Sequence, residues 1–332
     1  MRTQCRIFAA IAALLLVPLH GTVAQESEAA LAERVQRLER QVESQGFTLQ
    51  VLHKNLKDIQ FRQLAEGFMQ VEKVRYGMPD GMMIPAYIFR PLQMKGAKQH
   101  PALVWVHGGV HGDLDLFYLE FMKPLIAQGY VIIAPEYRGS TGYGRGHYEA
   151  IDYGGKEVED CIAGRDYLVD FVPEVNPQRI GIIGWSHGGF ITLHAIFRQP
   201  EKFKAAVEVV GVADLVTRMG YKTDSYRRTF AEQKGFGGTA FQKLDVYLDR
   251  SPYFHTAKLQ IPLLIHAADN DDDVNIIETR RLIDALKAAG KTFEHEIYAA
   301  PPGGHMFNRV QSKQSQDSWQ KILAFLAKNM GK

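Results

Sequence analysis

The stretch 180–190 restricts this chain more than any other. An apolar, β-branched run (Ile180, Ile182, Ile183) stops at Gly184, and Ser186 follows two residues later. After Gly188 and Gly189 come apolar residues at helical spacing: Phe190, Leu193, Ile196 and Phe197. This reads as strand, sharp turn and helix, with G-x-S-x-G at the turn. A serine on so tight a turn needs strained backbone angles, and its flanks must lack side chains for strand and helix to approach. Its hydroxyl then projects from the end of a sheet, and the amide of His187 points where an oxyanion would form. A glycine-rich turn with an incidental serine would look the same locally, so the rest of the chain must decide.

Runs with strand character recur along the chain. Val71 to Tyr76 and Met82 to Arg90 flank the turn 78–81 and suit an antiparallel sheet edge. Pro101 to Val106, Tyr130 to Ala134, Arg179 to Ile183, Ala205 to Val210, Pro262 to Ala267 and Phe293 to Tyr298 are apolar enough for interior strands. Helical patterns lie between or after them at Phe117 to Gly129, Glu157 to Phe171, Val274 to Ala289 and Asp317 to Lys328. The pattern predicts an α/β fold: a mostly parallel sheet with helices on both faces, and functional groups in loops at the carboxyl ends of strands.

Three such loops carry reactive residues: Ser186, the run Asp269-Asn270-Asp271-Asp272-Asp273, and Gly303-Gly304-His305. Ser, then Asp, then His is the chain order of the α/β-hydrolase triad. A serine hydroxyl is a poor nucleophile until a base takes its proton. His305 can serve only if a carboxylate holds its ring in one tautomer. The acidic run resembles a calcium loop, but Val274 and Arg280 stand where that loop needs Gly and Glu. Most of its carboxylates are expected to form a solvated turn capping the next helix, with one serving His305. The turn His107-Gly108-Gly109-Val110 suits the other half of an oxyanion hole, because glycine amides can approach a developing charge closely. The glycines of 139–146 match neither G-x-G-x-x-G nor a P-loop. The 12 histidines are scattered and form no Cys/His cluster. No cofactor and no metal are expected.

Arg2 and Arg6, the apolar stretch Ile7 to Leu19 and the small residues Thr22-Val23-Ala24 read as a secretory signal over 1–24. Export to a periplasm or the medium follows, with no stable membrane span after cleavage. Cys161 would then be the sole cysteine, so no intramolecular disulfide can form. A formal net charge of +2 gives no reason to expect nucleic acid as a partner. Over 25–66, Leu31, Val35, Leu38, Val42, Gln45, Leu49, Leu52, Leu56 and Ile59 alternate at steps of four and three. This is an a/d seam with one polar position. It suits a coiled coil that builds a homo-oligomer through residues 28–63, with Gln45 and Gly46 its weak point. An amphipathic helix packed on its own domain, residues 67–332, is the alternative.

The segments 135–144 (Pro-Glu-Tyr-Arg-Gly-Ser-Thr-Gly-Tyr-Gly), 155–160 (Gly-Lys-Glu-Val-Glu-Asp) and 184–189, followed by Ser251-Pro252 and Gly303-Gly304-His305, resemble the catalytic domain of the prolyl oligopeptidase family over roughly 67–330. The resemblance implies an α/β-hydrolase fold and serine peptidase or esterase chemistry. It implies Asp271 as the triad acid, with Asp272 as fallback, and the amides of Gly109 and His187 as oxyanion donors. Some members carry a tyrosine hydroxyl where His107 stands. Family peptidases usually carry a β-propeller ahead of this domain, whereas about 40 residues of helical character stand there. Size exclusion by a propeller is therefore not expected, and dipeptidyl specificity does not carry over.

Three functions fit. One is an exported serine peptidase cleaving short peptides through an acyl-enzyme. Another is an esterase acting on acetylated or feruloylated carbohydrate or small esters. The third is a non-catalytic scaffold working through its coiled coil. The insertion Asp214 to Phe254, with Tyr221, Tyr226, Phe230 and Tyr247, is expected to line the substrate pocket.

Overall fold

A computed structural model describes residues 28–331 of the protein, so the expected signal segment lies outside the described residues. The described chain divides at Gly46 into two units. The first consists of the start of helix α1 (Glu28–Ala65), whose Leu31, Val35, Leu38 and Val42 are all exposed. No helix among the described residues is long and apolar enough to cross a membrane.

The second unit is built on eight strands: β1 (Met69–Gly77), β2 (Met83–Pro91), β3 (His100–Val106), β4 (Val131–Pro135), β5 (Val175–Trp185), β6 (Ala206–Val209), β7 (Leu263–Ala268) and β8 (Glu294–Tyr298). They form one sheet in the order β1-β2-β4-β3-β5-β6-β7-β8. Strands β1 and β2 are the antiparallel edge that the sequence suggests, and β2 also pairs antiparallel with β4; every other pairing is parallel. All seven residues of β3 are buried, as an interior strand covered on both faces requires.

Helices α3 (Lys156–Phe171), α4 (His187–Arg198) and α8 (Ile276–Ala288) bury Val158, Phe190 and Leu282 against one face. Helices α2 (Tyr118–Ala127) and α9 (Lys313–Met330) bury Met122, Trp319 and Ile322 against the other. Phe61 and Ala65 of α1 join that second face, beside Tyr87 and Phe89. Along 47–65 the buried stripe is Lys54, Lys57, Phe61 and Ala65, whereas Leu49, Leu52, Leu56 and Ile59 of the heptad seam stay exposed. The helix thus packs on its domain by a stripe other than its apolar repeat.

Between β6 and β7 the chain forms α5 (Leu215–Tyr221), α6 (Asp224–Glu232) and α7 (Leu244–Asp249). The expectation that Phe230 and Tyr247 line a pocket is corrected here. Both are buried and pack with Phe236 and with Tyr153, which lies outside the insertion, as part of the core on that face of the sheet. Aromatic content attracted the pocket reading, but a short three-helix excursion needs those rings to anchor it on the core of the domain.

Candidate active site

The sheet brings the three loops to one end. Val106 of β3 pairs with Gly184 of β5, so the turn after β3 lies beside Ser186. Ser186 has φ 54° and ψ −118°, a region costly for any residue with a Cβ. Its amide donates to Val209 O at 2.9 Å and its carbonyl accepts from Phe190 N at 3.0 Å, which pins the strained turn from both sides. The flanking glycines are obligatory on contact grounds. A Cβ at Gly184 would lie 2.1 Å from Gly188 O, and one at Gly188 would lie 2.3 Å from Val106 O.

Ser186 Oγ is 2.9 Å from His305 Nε2, and His305 Nδ1 is 2.7 Å from Asp271 Oδ2. The other oxygen, Asp271 Oδ1, accepts from the amides of Asp273 at 2.9 Å and Val274 at 2.8 Å, so the buried carboxylate is fixed in orientation. Asp272 is exposed and takes no part in this series. The cap of α8 is Asn275, whose Oδ1 accepts from Ile277 N; the expectation that the acidic run caps this helix is corrected accordingly.

Asp273 lies 3.7 Å from His305 Nε2 and pairs with Arg218 at 3.1 Å and Lys222 at 2.6 Å. Burial opposes its ionisation, but the Lys222 hydrogen bond and the Arg218 charge prevail and hold the carboxyl below its ordinary range. Arg218 also reaches Glu278, Tyr221 and Tyr226, tying α5 to the acid loop. Tyr221 and Tyr226 therefore stand near the site as bracing for this cluster.

Gly109 has φ 80° and its carbonyl accepts from Tyr137 Oη at 2.7 Å and from Gly112 N at 3.1 Å. Among the described residues, neither the Gly109 amide nor the His187 amide is spent on a protein acceptor. The His107 ring is engaged elsewhere: Nε2 lies 3.0 Å from Ser140 Oγ and Nδ1 3.0 Å from Gly108 O. His111, four residues on, instead reaches Gly139 O and stacks on Tyr148, and the described residues hold no cluster of three or more metal-ligating side chains.

Behind the turn lies a network that sequence reasoning missed. Lys54 Nζ, from α1, is 2.6 Å from Glu136 Oε1 and 2.9 Å from Asp113 Oδ2, with Lys54 and Glu136 both buried. Lys57 Nζ adds Asp113 at 2.9 Å and Asp115 at 3.2 Å. Glu136 Oε1 also accepts from Leu114 N at 3.0 Å. The loop that continues from the Gly108-Gly109 turn is thus clamped by two lysines of the N-terminal helix. Gly142 makes the approach possible, since a Cβ there would lie 2.6 Å from Lys54 Cβ. Arg138 is held by Asp160 and Asp80, which ties its segment to α3 and to the turn between β1 and β2.

The His187 side chain is buried, and burial lowers its pKa to about 3. Glu157 Oε1 is 3.7 Å from its Nε2, too long for a hydrogen bond. Burial lifts Glu157 from 4.5 to about 8, against the opposing effect of the Gly154 amide, so both groups are neutral at pH 7. Between those two pH values the folded state holds a proton that the unfolded chain has lost, so Glu157 makes stability fall as pH rises. Glu157→Gln removes this slope. Its stability relative to wild type is expected to rise by up to about 1.4 kcal/mol per pH unit between pH 5 and 8. Urea unfolding of both proteins across that range checks it.

The model of the prolyl oligopeptidase family matches residues 117–332, which include Ser186, Asp271 and His305. An uncharacterized peptidase of Bacillus subtilis, YuxL, is 32% identical over 241 residues, covering 72% of this chain and 36% of that protein. The acylamino-acid-releasing enzyme of Arabidopsis thaliana is 27% identical over 267 residues, covering 77% and 34%. A solved puromycin-hydrolyzing peptidase of Mycobacterium tuberculosis superposes with a TM-score of 0.70 at 30% identity, covering 79% of this chain and 40% of that one. The chain spans about a third of the length of the curated relatives it matches. With the eight-stranded α/β-hydrolase sheet and the matched segment agreeing, the chain belongs to the prolyl oligopeptidase family.

Proposed function

We propose that the protein is an exported serine peptidase that cleaves short peptides through an acyl-enzyme on Ser186. The observation that supports this most is the unbroken series Ser186 Oγ, His305, Asp271 at 2.9 and 2.7 Å. In this reading Oγ attacks the peptide carbonyl carbon while His305 Nε2 takes its proton. The resulting oxyanion is met by the amides of Gly109 and His187, each such donor contributing about 3 kcal/mol. The C–N bond then breaks, with His305 giving its proton to the leaving amine. Water, deprotonated by the same imidazole, releases the acyl group. Asp271, aimed by two backbone amides, keeps Nδ1 protonated and Nε2 free to accept.

Ester hydrolysis passes through the same kind of intermediate, and the peptidase names carried by the Bacillus subtilis and Mycobacterium tuberculosis proteins favour the amide reading. Parallel assays on an aminoacyl or dipeptidyl amide and a short-chain p-nitrophenyl ester test it. Amide turnover within about a hundredfold of ester turnover supports a peptidase, and ester turnover with no measurable amide turnover refutes it.

The exposed seam of α1 supports assembly with further copies of the chain, since the 3.5-residue repeat that defines it is the signature of helices supercoiling together. Leu38→Glu combined with Val42→Glu is expected to reduce the particle to a monomer in light scattering. An unchanged mass would exclude the seam as the interface.

A further inference from the structure

We propose that Arg309 is a specificity residue that binds the free C-terminal carboxylate of a short peptide, on the leaving-group side of the scissile bond. The inference rests on the Ser186 chemistry proposed above. Arg309 follows His305 by one turn of the 3-10 helix Gly304–Arg309, and its guanidinium reaches back to the oxyanion turn. A Cβ at Gly108 would lie 3.1 Å from Arg309 Nη2 and 3.5 Å from Ser186 Cβ, so cation and nucleophile flank the same glycine. The absence of a side chain at Gly108 is what leaves room for both.

The guanidinium lies over the rings of Phe117 and Tyr118, at 5.3 and 5.4 Å from their centroids. Stacking fixes the plane of the fork while leaving its edge available. Among the described residues Arg309 forms no ion pair, and its Nε is buried without a partner. Among the described residues its donors make a 3.6 Å approach to Met306 Sδ, weak for a group with five N–H donors. Arg218, the arginine on the acid-loop side of the site, by contrast has its charge met by Asp273 and Glu278. An arginine with unspent donors beside a nucleophile matches a planar, two-oxygen anion.

Arg309 also forms one wall of a groove of about 560 Å³ whose apolar side is Phe117, Phe121, Val310 and Trp319; the carboxylate that also lines it, Glu120, is paired with Lys123 at 2.7 Å. Phe121 and Trp319 stack at 4.1 Å and give that side a rigid surface. A carboxylate with a side chain beside it fits such a site, and a peptide offers that pairing at its C-terminal residue. This residue always leaves with the amine product when the bond before it is cut, so Arg309 would count residues from the substrate's C-terminus.

The test compares the tetrapeptide Ala-Ala-Phe-Ala as the free acid and as its C-terminal amide, in wild type, Arg309→Gln and Arg309→Lys. A p-nitrophenyl ester run on each preparation reports the nucleophile. Wild type is expected to favour the acid by about thirtyfold in kcat/KM, mainly through KM. Arg309→Gln should reduce that ratio to about threefold or less, and Arg309→Lys should fall between, keeping charge without the fork. Equal kcat/KM for acid and amide in wild type overturns the inference, as does a ratio that survives in Arg309→Gln. A preference that follows an aspartate placed in the amidated peptide, instead of the terminus, overturns the C-terminal assignment. If ester and both peptides are inert in wild type, the Ser186 reading fails and takes this one with it.

Discussion

Asp271→Asn is expected to lower kcat on any accepted substrate by about 10⁴-fold while leaving the fold intact. Asp271 Oδ1 accepts two backbone amides, and an asparagine oxygen can keep both bonds. The amide nitrogen then faces His305 Nδ1 and donates where the carboxylate accepted. Nδ1 must become the acceptor, so the ring proton moves to Nε2 and points at Ser186. A base whose accepting nitrogen already carries a proton cannot activate the hydroxyl. Steady-state rates on a p-nitrophenyl ester, with thermal melts of the same preparations, check both halves. A loss below about tenfold would mean that Asp271 does not set the tautomer.

The second large effect concerns stability. Lys54→Met removes one partner of a buried ion pair and leaves Glu136 uncompensated at zero exposure. Such changes cost about 3–5 kcal/mol, because the orphaned charge keeps its full desolvation penalty. The double variant Lys54→Met, Glu136→Gln is expected to recover most of the loss, since glutamine carries no charge and can still accept from Leu114 N. Urea unfolding of the two single variants and the double closes the cycle. Catalysis should weaken alongside in Lys54→Met, because the clamped loop continues from the Gly108-Gly109 turn. Full additivity in the cycle would show that the two residues do not act as a pair.

The fold was legible because apolar runs alternate with helical patterns, and such alternation dictates a parallel sheet with its loops at one end. Ser186 and His305 could be placed from this pattern, since each follows a strand within a few residues. The acid was harder. Four aspartates and an asparagine crowd positions 269–273, and what separates Asp271 is the backbone path that turns its carboxylate inward. No spacing encodes that path.

Lys54 and Lys57 were missed for a related reason. On a heptad helix a lysine off the seam reads as solvated, and Asp113, Asp115 and Glu136 lie more than fifty residues away with no shared motif. Aromatic content in 214–254 misled in the opposite direction. Composition suggested a pocket wall, but Phe230 and Tyr247 turn inward and join the core on one face of the sheet. Arg309 carried no sequence signal, for its meaning comes from a glycine two hundred residues earlier.

The most direct trial is mass-spectrometric mapping of the full chain after treatment with a fluorophosphonate. Phosphorus should be found on Ser186 alone, absent in Ser186→Ala and formed at least about a hundredfold more slowly in His305→Ala. An adduct on another residue, or none on the wild-type protein, would contradict the account at its centre.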